Sequence, residues 1–193
     1  MVKIAQIYPG RSVGTGNKVL RKIAKEVPIK EIKSERIAGI IKKMSETLAE
    51  KAAGAALAAP QIGESLRIFI VDGEIFSPEF SMDKFAEDKE TKKTERAPVV
   101  FINPVIKKIS KKQQIVDEGC LSVKNVFGKL KRAEKLTVEA LDESGKKFTR
   151  GASGFLAQII QHEMDHLDGI LFIDKATALQ RVTDLPTGQV DSE

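Results

Sequence analysis

Residues 153–169 read Ser-Gly-Phe-Leu-Ala-Gln-Ile-Ile-Gln-His-Glu-Met-Asp-His-Leu-Asp-Gly, and the reading of this stretch decides the fold. Its apolar residues recur at three and four, which predicts a helix from about Ser153 to Leu167 with Gly169 as a left-handed stop. At 3.6 residues per turn, Phe155, Ile159, His162 and His166 share one face. That face carries apolar residues, so it points inward. Leu156, Ile160 and Leu167 form a neighbouring stripe, and Glu163 lies between the two. His162-Glu163-Met164-Asp165-His166 fits H-E-x-x-H, in which imidazoles at i and i+4 sit one above the other and reach one ion. A lone histidine on a helix is usually a satisfied polar group. Here the chain's 2 histidines flank a glutamate, and two buried imidazoles without partners would each cost about 1–3 kcal/mol. A carboxylate at Glu163 suits hydrogen bonding to a water held by the ion. Asp165 and Asp168 are candidate partners for the outer nitrogens of the imidazoles, or exposed helix-end carboxylates.

Two nitrogens are too few for a catalytic centre, which wants three protein ligands and an open position. The single cysteine is Cys120, in Glu118-Gly119-Cys120-Leu121-Ser122. It reads either as a small buried hydrophobe or as the third ligand. Gly119 before it permits close backbone approach, and Cys120 is expected to open an apolar-poor strand. A third stretch, Gly54-Ala55-Ala56-Leu57-Ala58-Ala59-Pro60-Gln61-Ile62-Gly63, is built of small residues that allow tight packing. Gln61 is its only large polar side chain, either at the surface or an amide aimed into a site.

Around these motifs the chain of 193 residues reads as one α+β domain, with antiparallel β-sheets packed around the H-E-x-x-H helix and a further helix towards the N-terminus. That helix carries Ile37, Ile40, Ile41, Met44 and Leu48 as one stripe, with Ser34 as N-cap and Gly54 as stop. Strands are expected at Ile4–Ile7, Arg67–Val71, Val99–Ile102, Lys135–Leu141 and Lys147–Arg150, with a Gly-rich turn at Gly10, Gly14 and Gly16 and a turn or new strand from Asn103-Pro104. The catalytic domain is expected to span 1–175, followed by a tail over 176–193. Residues 73–97 hold 12 charges among 25 positions, which predicts a polar surface insertion outside the core or a flap near a cleft.

Composition excludes several classes. One cysteine allows no intrachain disulfide and fits a reducing compartment. No run approaches the ~20 apolar residues of a membrane span, and the first ten residues lack the apolar core of a secretory signal. The net charge of +5 with 5% aromatics suits solubility better than sequence-specific nucleic-acid readout.

Together, GAALAAPQIG at 54–63, EGCLS at 118–122 and QHEMDH at 161–166 resemble, in order, the three motifs of the peptide deformylase family. The flanks FINP at 101–104, RAEKLTVEALD at 132–142 and GILFID at 169–174 extend the likeness over residues 17–175. The resemblance implies that Cys120, His162 and His166 bind a divalent metal, natively Fe2+ with Zn2+, Ni2+ or Co2+ able to replace it. It implies Glu163 as general acid/base, and Gln61 with the backbone N–H of Leu121 as donors to the oxyanion. The implied reaction removes the formyl group of an N-formylmethionyl peptide, with a metal-held water attacking the formyl carbon, and releases formate. The methionine side chain would need an apolar pocket, and Phe155 and Ile159 on the histidine face, with Ala55 and Ala56 opposite and Gly119 beside them, read either as that pocket or as ordinary core. A bacterial-type cytoplasmic or organellar setting and a transient ribosome contact are implied as well. The chain departs from the family at Ala56, which replaces a glycine, at Lys124, where proline is frequent, and at Phe127, where some members carry arginine. A zincin-type peptidase shares H-E-x-x-H, but no histidine follows His166 to complete its ligand set.

Overall fold

The computed structural model describes residues 3–7, 18–51, 54–78, 80–81 and 96–181. Among the described residues, eight strands form two antiparallel sheets. The larger has the order β1-β2-β3-β6-β7, from Ala56–Ala58 (β1), Ile68–Val71 (β2), Val99–Ile109 (β3), Lys135–Leu141 (β6) and Lys147–Ser153 (β7). The smaller has the order β4-β5-β8, from Gln113–Cys120, Val123–Ala133 and Ala178–Arg181.

Helix α1 (Glu35–Ala49) and helix α2 (Gly154–Leu167) lie on opposite faces of the larger sheet. This explains why β2 is apolar at every position. Ile68 and Ile70 turn to the core under α1, while Phe69 and Val71 turn to the core under α2, as alternation along a strand requires. Phe69 pairs with Phe101 across β2 and β3, and their rings stack with centroids 4.6 Å apart. The smaller sheet rests on the other flank of α2, over a minor core of Val123, Val126, Leu130, Leu171 and Phe172. The α+β class, the antiparallel sheets and the helix between them agree with the sequence reading.

The Ser34 hydroxyl accepts from Ile37 N–H and caps α1. Gly169, at φ +74°, terminates α2 against the backbone of Arg21.

Several expectations change. Helix α1 stops at Ala49, well before Gly54, which is instead packed so closely that a Cβ there would lie 2.8 Å from Leu48 Cδ1. Residues 4–7 are extended but make no strand ladder. Ala5 N–H donates to Gln61 O and Ile7 N–H to Ser122 O. Strand β3 runs through Asn103-Pro104 with an irregularity between Ile102 and Val105. Asn103 takes φ +49°, and its side chain exchanges two hydrogen bonds with Val27. Ala178–Arg181, expected in the tail, pairs with β5. The charged stretch from Gly73 is not wholly outside the core. Gly73–Phe76 forms a 3-10 turn that buries Ile75, and Phe80 stacks on Phe155. The expected turn at Gly10, Gly14 and Gly16 lies outside the described residues, as do residues 82–95.

Candidate functional site

Cys120 ends β4 rather than opening a strand. Period-two alternation puts Glu118 and Cys120 on the face that looks at α2. Helix α2 presents His162 and His166 one turn apart, with ring centroids separated by 4.9 Å. Cys120 Sγ, His162 and His166 each offer a donor atom, and all three lie within 4.8 Å of one another. Sγ is 3.2 Å from His166 Nε2, close to the roughly 3.5 Å between sulfur and nitrogen ligands of a tetrahedral ion. His162 Nδ1 is engaged by Glu118 Oε2 at 2.8 Å, which leaves Nε2 for an ion. Burial works against a charge on the thiol, yet the His166 and His162 rings outweigh it and hold Cys120 well below its ordinary range. A thiolate with two imidazoles is a donor set that fits a divalent transition ion.

Sequence reasoning missed the support behind this set. Arg132, on the inward face of β5, donates Nε and Nη2 to the two carboxylate oxygens of Glu118 at 2.7 and 2.9 Å. Its Nη1 donates to Asp165 Oδ2 at 2.7 Å, and Lys175 Nζ donates to Asp165 Oδ1 at 2.6 Å. Burial alone would raise the Glu118 carboxyl, but Arg132 and His162 draw it down to about 2. Glu118, not Asp165 or Asp168, therefore orients the imidazole. Asp165 faces Arg132 and Lys175, and Asp168 pairs with Arg67 at 2.7 Å. The signal was present in the sequence, since Glu118 lies two residues before Cys120 on one strand face. Gln161, buried on the other side of α2 from Glu163, binds both polar groups of Ala133. Its Oε1 accepts from Ala133 N–H at 2.9 Å and its Nε2 donates to Ala133 O at 3.0 Å.

Beside the three donors opens a cavity of about 290 Å3. Cys120, His162, Glu163, Gln61 and Leu121 line it, while His166, whose Nε2 is 3.2 Å from Cys120 Sγ, is not in the lining. Phe155, Ile159, Ala55, Ala56, Gly119 and Leu121 are among its lining. Glu163 is 3% exposed, and among the described residues its Oε2 has no hydrogen-bond partner. Burial, the largest influence, pushes its carboxyl up to about 7, where it can give and take a proton near neutrality.

Gln61 is buried, not a surface residue. Its Oε1 accepts from Ala58 N–H at 2.8 Å, so its Nε2 must turn the other way, to Ser122 Oγ at 3.2 Å and Cys120 Sγ at 3.7 Å. Of the departures, Ala56 lines the cavity, Lys124 is exposed, and Phe127 stands 47% exposed at the mouth with its ring against Gly119.

Because Cys120 and His162 line this cavity, an ion held by the three donors would be reachable from it, which suits a metallo-hydrolase rather than a closed structural site. Residues 12–182 match the family described as polypeptide deformylase. Peptide deformylase 1A, chloroplastic, of Solanum lycopersicum is 40% identical over 168 residues, 84% of this chain, which spans 58% of that protein's length. Peptide deformylase 2 of Clostridium acetobutylicum is 39% identical over 161 residues, 83% of this chain and 91% of that one. The crystal structure of a class I type b peptide deformylase from Acinetobacter baumannii bound to Met-Ala-Ser superposes with a TM-score of 0.73 at 31% identity, covering 91% of this chain and 98% of that one. The chain belongs to the peptide deformylase family, metal-dependent hydrolases that remove the formyl group from newly made peptides. Among the described residues, no helix is long and apolar enough to cross a membrane.

Proposed function

We propose that this chain hydrolyses the N-terminal formamide of formylmethionyl peptides, with Cys120, His162 and His166 as ligands of one ferrous ion that zinc, nickel or cobalt can replace. The observation that carries this reading is the meeting of those three donors beside a cavity into which a buried, protonatable Glu163 opens. The cation, when bound, supplies a Lewis acid that acidifies water and polarises the formyl carbonyl. Glu163 takes the proton of the attacking water and later delivers it to the departing amine. Gln61 Nε2 and the Leu121 N–H donate to the carbonyl oxygen as negative charge develops on it. Ala58 N–H on Oε1 fixes which way the Gln61 amide points, and the Nε2 hydrogen that lies 3.7 Å from Cys120 Sγ is the one to pass to the substrate oxygen. Phe155 and Ile159, opposite Ala55 and Ala56 with Gly119 alongside, receive the methionine side chain, and one molecule each of formate and free peptide leaves.

The apolar lining supports an uncharged first side chain, and the Met-Ala-Ser bound to the Acinetobacter baumannii relative begins with one. We place the work in a bacterial-type cytoplasm or an organelle, with a transient ribosome contact. Protein loaded anaerobically with Fe2+ and given a formyl-Met tripeptide should release formate and leave the chain uncut. Cleavage of a peptide bond would make it a peptidase, and neither product would make it a binding module.

A further inference from the structure

Gln6 belongs to none of the three motifs and touches none of the reacting groups, yet its side chain is tied into the cysteine segment. It lies in the extended N-terminal segment, where Ala5 N–H donates to Gln61 O at 2.7 Å and Ile7 N–H to Ser122 O at 2.8 Å. The Gln6 Nε2 donates to Leu121 O at 3.0 Å and to Ile4 O at 3.3 Å. Two carbonyl oxygens fix which way the amide points, because a flipped amide would set oxygen against oxygen. The Leu121 carbonyl belongs to the peptide that joins Leu121 to Ser122. At the far end of that same peptide, Ser122 N–H donates to Cys120 Sγ at 3.4 Å. The three groups therefore stand in series, from amide donor through one peptide unit to the sulfur.

We propose that Gln6 is a positioning residue for the Cys120 thiolate. It holds the Leu121–Ser122 peptide so that Ser122 N–H stays on the sulfur, and by polarising that peptide it strengthens the N–H···S bond. A hydrogen bond to a ligating sulfur draws charge off it and weakens its donation to the ion, which leaves the ion a stronger Lewis acid. Ile7 N–H grips the carbonyl of Ser122 one peptide further on, so the same segment secures both sides of the donor. The inference rests on Cys120 being a ligand, as proposed above, and not on the identity of the substrate.

The test uses the cobalt-loaded full chain as wild type, Gln6→Met and Gln6→Asn. Methionine fills similar space without a donor, and asparagine keeps the amide but falls one methylene short. With one Co2+ retained per chain, the sulfur-to-cobalt charge-transfer band should move to longer wavelength in both variants. In the same proteins kcat should fall roughly tenfold, with KM essentially unmoved. A wild type without that band means that Cys120 is not a ligand, and ligand reading and inference fall together. A wild-type band that stays in place in either folded variant overturns the inference alone and leaves the ligand reading standing. The wild type also gives a measurement independent of variant folding: Ser122 N–H must exchange slowly with solvent, and exchange at the rate of a free amide overturns the inference.

Discussion

Replacing Arg132 by methionine isolates the charge network behind the imidazole. Arg132 is 4% exposed and makes three short hydrogen bonds, two to Glu118 and one to Asp165. The depression of Glu118 from 4.5 to about 2, at about 1.4 kcal/mol per unit, corresponds to roughly 3 kcal/mol. Breaking a buried ion pair by removing one partner costs a similar amount, about 3–5 kcal/mol. The pH dependence carries the diagnosis. A carboxyl whose folded pKa is depressed contributes its full stability above the unfolded value and loses it as pH falls towards 2. In Arg132→Met burial prevails over what His162 supplies, the folded pKa of Glu118 rises, and protonation now relieves the folded state. Urea unfolding, with chelator in every sample so that metal release does not contribute, should show a gap of about 3–5 kcal/mol at pH 7.5. That gap should shrink to less than half at pH 4. Adding Glu118→Gln, which removes the stranded charge, should recover part of the loss at pH 7.5. A gap under about 1 kcal/mol, the scale of an exposed pair, or one of equal size at both pH values, would refute the reasoning.

Gln61→Ala should slow turnover about a hundredfold, the scale of one lost oxyanion donor, while metal analysis finds the site full; unchanged turnover would remove Gln61 from the reaction. Glu163→Ala should keep its metal and lose nearly all formate release, whereas a metal-free protein would show that a ligand had been mistaken for a base. Gly169→Ala should lower unfolding stability by about 1–3 kcal/mol, since it combines φ +74° with a Cβ 2.9 Å from the Arg21 carbonyl carbon. An unchanged melting curve would contradict that strain.

The helix with both histidines was legible because its period is set by backbone geometry and its length exceeds what a strand would use. Helix α1 was legible for the same reason, although its end was not, because Gly54 serves close packing rather than capping. Strand β2 could be read from its composition, but which residue faces which helix could not, since all four positions are buried. The hairpin β4–β5 escaped notice because its outward face mixes Lys129 and Lys131 with exposed Ile115 and Phe127 and its inward face carries Glu118 and Arg132, so the alternation was hidden. Strand β8 is exposed at every position and owes its form to main-chain pairing with β5, for which the side chains give no signal. At the site, residue types pointed to the metal donors, but the partner of His162 was not among the candidates, which were Asp165 and Asp168, the aspartates nearest in sequence. The pairing with Glu118 joins positions 44 apart and exists only once β4 lies beside α2.

The grip of Gln161 on Ala133 has a mechanical corollary. By occupying both the donor and the acceptor of that residue, the amide ties the end of β5 to α2 at one fixed step. A slip of one position in β4 would turn every side chain of that strand over, putting Gly119 or Leu121 where the sulfur should be. One glutamine thus works as an index pin, holding two remote pieces of chain to a common zero.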